Sequence, residues 1–313
     1  MPDASNPHPI PLSGTQVTID HGDYSATIAS IGASLRTLRW QGRDLVIPFD
    51  ADEVRPAYRG AILAPWPNRV VDGTYRHDGA AYQLLLTEPA RGHALHGLVV
   101  WSDWIVENTA ADRVTLGTTV APSDGYPHRL ALTVRYSLTD DGLTTTITAR
   151  NVGASVAPYG SGSHPYLSAG PGKVDDWILE LPASAYLEVT ADRLIPVSVA
   201  GVETHPTFDF RAPRQIGDTF IDHAFTALRR TQSGTAALAL TTSGGAGVRM
   251  SWGAELPWLQ VHTADRPEPE RNRIGLAVEP MTCPPNAFSS GEDLVRLGSG
   301  ESHTASWTIA AIA

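Results

Sequence analysis

Side chains that can transfer protons or bind hydroxyl groups are concentrated in five short segments of the sequence. These segments are residues 64–69 (APWPNR), 93–97 (HALHG), 160–166 (GSGSHPY), 220–225 (FIDHAF) and 274–281 (IGLAVEPM). The sequence has no glycine-rich phosphate loop ahead of a helix and no Gly-x-Ser-x-Gly nucleophile motif. A carboxylate, histidines and hydroxyl-binding groups without a cofactor motif predict acid–base chemistry.

Glu279 is the candidate general base. It ends the apolar run IGLAV and is followed directly by Pro280, and its sequence neighbours offer no cationic partner. Such a carboxylate either points into solvent or is kept out of solvent because it has a functional role. If it is held near apolar surface, its pKa rises towards the range of a useful base.

Three histidines, His93, His96 and His164, lie in two of the segments. Histidine is the side chain best suited to passing protons near neutral pH. The spacing of His93 and His96 also suits metal ligands, but no adjacent Asp or Glu completes a ligand set. Neutral histidines that are hydrogen-bonded in loops are the third interpretation, and the local sequence does not separate it from a catalytic role.

Two further charged residues, Arg69 and Asp222, have open roles. Arg69 follows a proline-rich run that cannot be a central strand, and its planar guanidinium suits hydroxyl or carboxylate groups. The alternative is a surface arginine on a stiff loop. Asp222 lies beside His223 between apolar neighbours, and it either caps a turn or holds a ligand, because a buried carboxylate needs partners.

The elements that must position these residues are predicted to be β-strands. Alternating apolar runs at 130–138 and 143–149 are joined by Asp140-Asp141-Gly142, which is typical of a hairpin. Asp78-Gly79 and Gln41-Gly42 mark two more hairpin turns. At most residues 52–58 form a short helix. The pattern predicts one all-β domain over residues 15–313, a sandwich or barrel of antiparallel sheets, after a flexible N-terminus at 1–14.

Composition excludes several classes of protein. With 23 Lys and Arg against 33 Asp and Glu, the net charge of −10 disfavours nucleic acid and anionic lipid as partners. The single cysteine, Cys283, excludes an internal disulfide framework and a Cys-rich zinc site. No run of 18 apolar residues and no secretion signal is present. We therefore expect a cytoplasmic protein with a neutral small-molecule ligand, and no membrane partner.

The order and spacing of the segments resemble the aldose 1-epimerase (galactose mutarotase) family. From residue 15 to the C-terminus, the matching positions are Asn68-Arg69-Val70, Leu95-His96-Gly97, Gly125-Tyr126-Pro127, His164-Pro165-Tyr166, Asp222 and Glu279. The resemblance implies a β-supersandwich of large antiparallel sheets, with no metal and no cofactor. Pro65-Trp66-Pro67, Leu98 and residues 280–288 after Glu279 depart from the common pattern, and the first of these gives the motif Trp66-Pro67-Asn68-Arg69. They resemble a bacterial sub-branch, some of whose members are associated with sulfoquinovose breakdown.

The resemblance also implies roles for individual residues. Glu279 is the general base that takes the proton of the anomeric hydroxyl, and His164 is the general acid that protonates the ring oxygen. The residues that bind the substrate are implied to be Asn68, Arg69, His96, Tyr166, Asp222 and Gln260. Such a pair predicts a bell-shaped pH profile.

The function expected is interconversion of the α and β anomers of a free aldohexose, such as glucose or galactose, by a monomer or homodimer. Alternatives on the same fold are a mutarotase for hexose 6-phosphates or sulfosugars, with Arg59 or Arg91 binding the anion, and a non-catalytic carbohydrate-binding protein. One of Trp66, Trp101 and Trp258 is a candidate for stacking on the sugar, although tryptophan in such positions is more often core.

Overall fold

The structure is a computed structural model that describes residues 9–313, and this part of the chain consists mainly of β-strands. The strands are β1 (Gln16–His21), β2 (Tyr24–Ala29), β3 (Ser34–Trp40), β4 (Arg43–Asp44), β5 (Ile62–Leu63), β6 (Arg69–Val71), β7 (Thr74–His77), β8 (Ala80–Gln83), β9 (His93–Leu95), β10 (Ile105–Ala110), β11 (Arg113–Val120), β12 (Leu130–Thr139), β13 (Gly142–Asn151), β14 (Ala157–Tyr159), β15 (Gly162–Ser163), β16 (Tyr166–Leu167), β17 (Ile178–Glu180), β18 (Ala183–Val189), β19 (Pro196–Gly201), β20 (Arg214–Gln215), β21 (Asp222–Leu228), β22 (Ala236–Thr241), β23 (Gly247–Trp252), β24 (Trp258–His262), β25 (Leu276–Met281), β26 (Val295–Leu297) and β27 (Ser302–Ile312). Helical structure in the same residues is limited to α1 (Ala287–Ser290) and the 3₁₀ turns Pro56–Tyr58, Val174–Asp176, Val202–Thr204 and Pro206–Phe208. The predicted all-β class is confirmed.

Two large antiparallel sheets dominate residues 9–313. The first has nine strands in the order β10-β11-β12-β13-β27-β23-β22-β17-β20. The second has eight, in the order β19-β18-β21-β24-β25-β15-β5, with β16 also paired to β25. A four-stranded sheet, β1 to β4, and the pairs β6-β9, β7-β8 and β14-β26 complete this part of the chain. The large antiparallel sheets expected from the sequence are therefore present.

The hairpin expected at residues 130–149 is formed by β12 and β13, with Leu138 opposite Leu143 beside the turn. The five apolar side chains predicted to share one face are all at most 1% exposed, and they are Leu130, Leu132, Val134, Tyr136 and Leu138. The two other predicted hairpin turns are also correct, since β7 pairs with β8 and β3 pairs with β4. Hydrophobic alternation thus fixes which face of each strand enters the core.

The eight-stranded sheet separates apolar from polar side chains at its centre. On the adjacent strands β24 and β25, Gln260 lies opposite Glu279. Their neighbours Leu259, Val261 and Val278 belong to the main hydrophobic core. Because successive side chains of a strand point to opposite faces, Gln260 and Glu279 face away from that core. One face of the sheet is thus available for a binding site.

The helix expected within residues 52–58 is wrong except for the single turn Pro56–Tyr58. Arg55 precedes a proline, which disfavours helical backbone at that position, and its ψ is 115°. Ala57 then has a positive φ of 49° and interrupts the turn. The segment is a tight, partly left-handed loop, and α1 at the other end of the chain was not predicted.

Residues 1–8 of the predicted flexible N-terminus lie outside the described residues. Within the remainder of that segment, the amide and hydroxyl of Ser13 donate to the carbonyl oxygen of Ala51 at 3.0 and 2.8 Å. The main core contains side chains from Ile19 to Ile309. The boundary at residue 14 and the single domain over 15–313 stay predictions. Among residues 9–313, no helix combines the length and apolarity that a membrane span requires.

Candidate active site

A cavity of about 480 Å³ lies against the polar face of the eight-stranded sheet. All eight residues that the sequence nominated line it, and they are Asn68, Arg69, His96, His164, Tyr166, Asp222, Gln260 and Glu279. They come from strands and loops scattered over most of the chain, so only the tertiary fold brings them together. Their proposed roles stay predictions.

The centre of the site is a direct contact between Glu279 and His164. Glu279 Oε1 lies 3.2 Å from His164 Nε2, and the two side chains are 3% and 7% exposed. Burial, followed by the negative charge of Asp222, raises the pKa of Glu279 well above its usual value. Burial, followed by the charge of His262, lowers the pKa of His164 to about 3. Both shifts favour a protonated carboxyl group beside a neutral imidazole.

His96 lies beside this pair in a constrained backbone. The rings of His96 and His164 are 5.1 Å apart and nearly perpendicular. Both His96 and Asn68 have positive φ, 63° and 52°, and the His96 amide donates to the Asn68 carbonyl oxygen at 2.8 Å. Non-glycine residues rarely adopt this conformation unless the surrounding structure enforces it. This hydrogen bond thus fixes the positions of two candidate site residues, His96 and Asn68, relative to each other.

Tyr58 also lines the cavity, and it was not predicted as a site residue from the sequence. Its ring packs at 4.8 Å from His96 and 6.2 Å from His164. Behind it, the buried Arg55 donates to the carbonyl oxygen of Ile31, at 3.0 Å, and to Ser34 Oγ, at 2.6 Å. Burial lowers the pKa of Arg55 to about 10, so it remains a cation at neutral pH. Its charge adds to the burial that lowers the pKa of both histidines.

Arg69 is not a free surface arginine, because it forms a two-point ion pair with Glu88. Its Nε and Nη2 donate to the two carboxylate oxygens at 2.8 and 3.0 Å. Arg91 donates to the same carboxylate at 2.9 Å. Burial alone raises the pKa of Glu88, but the two arginines outweigh it, and the pKa lies below its usual value. This pair positions the Arg69 guanidinium at the cavity wall.

Asp222 and Gln260 form the next polar unit of the sheet face. Gln260 Nε2 donates to Asp222 Oδ1 at 2.7 Å. Of the two roles left open for Asp222, a cavity-lining carboxylate with a free oxygen fits the structure better than a turn cap, because Asp222 begins strand β21. Its hydrogen bond to Gln260 orients the carboxylate beside Glu279 and leaves acceptor capacity for a hydroxyl group.

Three arginines lie on the lining of the cavity near Tyr166. They are Arg59, Arg266 and Arg271. Arg271 is 3.6 Å from Glu53. Within residues 9–313, Arg59 and Arg266 have no carboxylate within 4.0 Å, although Arg59 donates to the carbonyl oxygen of Pro48 and lies over the Tyr166 ring. Part of the lining thus carries two arginines without an ion-pair partner among the described residues, although the carboxylates of Asp265 and Glu268 line the same cavity.

Several residues considered in the sequence analysis are placed away from the cavity. His93 uses both ring nitrogens, which contact the Arg193 carbonyl oxygen at 2.8 Å and the Asp72 amide at 3.3 Å. It is therefore one of the loop histidines satisfied by hydrogen bonds. The expected stacking tryptophans do not line the cavity either. Trp66 and Trp258 are core residues, 3% and 2% exposed, and Trp101 packs on Arg55 at 4.5 Å.

The chain is similar to several known proteins. A family model described as aldose 1-epimerase matches residues 15–310. The uncharacterized protein YihR of Escherichia coli K12 is 40% identical over 93% of this chain and 91% of its own length. Bovine galactose mutarotase is 28% identical over 66% of this chain and 61% of its own. A GalM/aldose epimerase homologue from C. elegans has the same fold, with a TM-score of 0.82 at 21% identity over 96% of this chain and 99% of its own.

The burial of the Glu279 carboxyl without a cationic partner in residues 9–313 predicts that Glu279→Gln stabilises the protein. Because the folded state raises this pKa, the stability that the carboxyl contributes is complete below its usual pKa and is lost as the pH rises through the folded value. At pH 8 the substitution should increase the free energy of unfolding by about 1–3 kcal/mol, measured by urea unfolding. The gain should shrink towards pH 4.

Glu88→Gln is the matched control for that prediction. Its carboxylate has a lowered pKa and two arginine partners, so this substitution should reduce stability at pH 8. The interpretation fails if both substitutions destabilise the protein to a similar degree.

Proposed function

The chain belongs to the aldose 1-epimerase family, and we propose that it interconverts the α and β anomers of a free aldohexose by acid–base opening and closing of the sugar ring. The observation that carries the proposal is the buried contact of 3.2 Å between His164 Nε2 and Glu279 Oε1. It lies in a cavity lined by groups that bind hydroxyls.

The closeness of the two groups suits the reaction. Ring opening removes a proton from the anomeric hydroxyl and adds one to the ring oxygen, and both oxygens are bonded to the same carbon. An acid and a base that serve them must therefore be near neighbours, as Glu279 and His164 are. Once the ring is open, rotation about the C1–C2 bond presents the other face of the aldehyde, and the same two groups close the ring with their roles exchanged.

The protonation state of the pair Glu279 and His164 is compatible with this cycle. One proton is shared between Glu279 and His164 in the free site, where the pKa directions place it on Glu279. Its transfer across the 3.2 Å contact yields the reactive form, in which Glu279 is the base and His164 the acid. His96, with its own pKa lowered by burial, is a neutral hydrogen-bonding group beside them.

The remaining polar residues of the cavity would hold the sugar while C1 turns. Arg69 is fixed by Glu88 and Asp222 by Gln260, so both present oriented groups to the hydroxyls of the ring. Pre-organised contacts of this kind keep the reacting atoms aligned without further ordering. Asn68 and Tyr166 complete the proposed substrate contacts.

The proposal predicts that the protein accelerates the equilibration of freshly dissolved α-D-glucose or α-D-galactose. Glu279→Gln should reduce kcat/KM by about 10²–10⁴-fold, because the amide accepts no proton. Polarimetry or NMR exchange spectroscopy measures both rates. Glu107→Gln, an exposed carboxylate replaced on β10, is the control and should retain full activity.

A normal rate with Glu279→Gln would contradict the proposed mechanism. If the wild-type protein binds these sugars but does not accelerate their equilibration, the chain is the non-catalytic carbohydrate-binding protein instead.

The pKa shifts predict a broad, bell-shaped dependence of kcat/KM on pH. Activity requires one proton on the pair, so it should fall on the acid side when His164 gains a second proton, at about pH 3. On the alkaline side it should fall when the pair loses its proton, well above the usual pKa of a carboxyl group. An acid limb centred near the ordinary pKa of histidine would show that another group controls the rate.

A second candidate substrate is an aldose with an anionic substituent, such as a phosphate or sulfonate. The observation that favours it is the presence of Arg59 and Arg266 on the cavity lining with no carboxylate within 4.0 Å among residues 9–313. Arginine binds phosphate and sulfonate oxygens through charge-assisted hydrogen bonds. The net charge of −10 does not argue against an anionic substrate, because its binding depends on the charges that line the cavity.

For an anionic sugar, Arg266→Gln should lower kcat/KM by about 3- to 10-fold while the value for glucose is unchanged. Glucose 6-phosphate and 6-deoxy-6-sulfoglucose are the substrates to compare with glucose. Arg113→Gln, which replaces an exposed arginine on β11, is the control. An equal loss for charged and neutral sugars would indicate that Arg266 acts on the fold rather than on the anion.

A further inference from the structure

Three buried side chains in the cavity present metal-ligating atoms to one another. One donor atom each from His96, His164 and Glu279 lies within 4.8 Å of the other two. The residues are only 5%, 5% and 2% exposed. Two imidazoles and one carboxylate are a ligand set that zinc uses in proteins.

Each of the three residues has a buried polar atom without a hydrogen-bond partner in the described part of the chain. His96 Nδ1, His164 Nδ1 and Glu279 Oε2 are buried and have no hydrogen-bond partner among residues 9–313. Buried polar groups without partners are rare in folded proteins, and each calls for a ligand or a chemical role. Each ring also carries a second nitrogen, so a metal ion has a choice of donor atom on both histidines.

The surrounding charges permit a cation. Arg69, whose positive charge acts on both His96 and Glu279, is paired with Glu88 at 2.8 and 3.0 Å. Asp222 adds a negative charge beside Glu279. The cationic Arg55 and Arg266 oppose binding. The other titratable neighbours of His164 are His262, Tyr58 and Tyr166. Metal binding uses the neutral form of the histidines, whose pKa burial lowers, and it requires Glu279, whose pKa burial raises, to release its proton.

We propose that His96, His164 and Glu279 form a binding site for a divalent transition-metal ion of the zinc class, in competition with the sugar. Tetrahedral zinc has bonds of about 2.0–2.1 Å, which place its ligand atoms about 3.4 Å apart. The 3.2 Å between His164 Nε2 and Glu279 Oε1 already has this spacing. The longest separation in the set, at most 4.8 Å, must close by about 1.4 Å to reach it.

The sequence did not predict this site because its ligands are far apart along the chain. Local spacing drew attention to His93 and His96, whereas His93 is held by Arg193 and Asp72. The three ligands instead come from two loops and a strand that meet only in the folded sheet. The bound ion would occupy the lone pairs needed for proton transfer and would block the reaction. That inhibition rests on the proposed function, whereas metal binding itself does not.

The test is a titration of tag-free wild-type protein with Co²⁺ and Zn²⁺ at pH 7.5. We expect one equivalent of Co²⁺ to give visible d–d absorption and Zn²⁺ to displace it, with the stoichiometry checked by calorimetry. His96→Ala and Glu279→Gln should each weaken binding by at least about 10–100-fold, the loss seen for outer-shell partners of metal sites. His21→Ala, which removes an exposed histidine paired with Asp140, should bind as the wild type does.

Competition and activity give separate outcomes. D-galactose should weaken Co²⁺ binding, and Zn²⁺ should inhibit mutarotation competitively with the sugar. Failure to bind one equivalent of metal, or binding that His96→Ala and Glu279→Gln leave unchanged, overturns the proposal. Metal binding at these residues in a protein without mutarotase activity supports the site and refutes the proposed function. Mutarotase activity without metal binding supports the proposed function and refutes the metal site.

Discussion

The burial of one carboxyl group, that of Glu279, is the constraint on which the rest of the site depends. A carboxylate in such surroundings is costly unless it is paired, and its single close contact is a histidine that burial also makes neutral. The core face of the same sheet, with Leu259 and Val278, offsets this cost by apolar packing. The protein thus carries a destabilised, reactive group on a rigid strand rather than on a flexible loop.

Charged groups around the cavity fall into two kinds. Some are locked to a partner, as Arg69 is to Glu88 and Asp222 is to Gln260. These are oriented before any ligand arrives. Others, such as Arg59 and Arg266, lack a carboxylate partner in the described part of the chain. Under the proposed function, the first kind would hold the hydroxyls near the reacting carbon, and the second would contact a charged substituent farther along the sugar.

Much of the fold followed from the sequence because alternation is a local signal. The hairpin of β12 and β13 was visible from the period of two, and the strand that carries Glu279 from its continuous apolar run. The family resemblance added residues such as Gln260 and Asn68, which no local pattern marks. Tyr58 and Glu88 were missed because each matters only through contacts with distant residues. The helix expected at 52–58 failed because Pro56 restricts the backbone of Arg55.

The register of the eight-stranded sheet has a consequence for how the chain folds. Gln260 meets Glu279 across one pair of strands, while His164 and Asp222 reach the same point from other parts of the chain. Residues 222–279 carry Asp222, Gln260 and Glu279, but His164 joins them only when a distant segment of the chain is in place. Closing such distant pairings is slow compared with local folding. Catalytic competence should therefore emerge in a single late step, which makes enzymatic activity a direct reporter of completed folding.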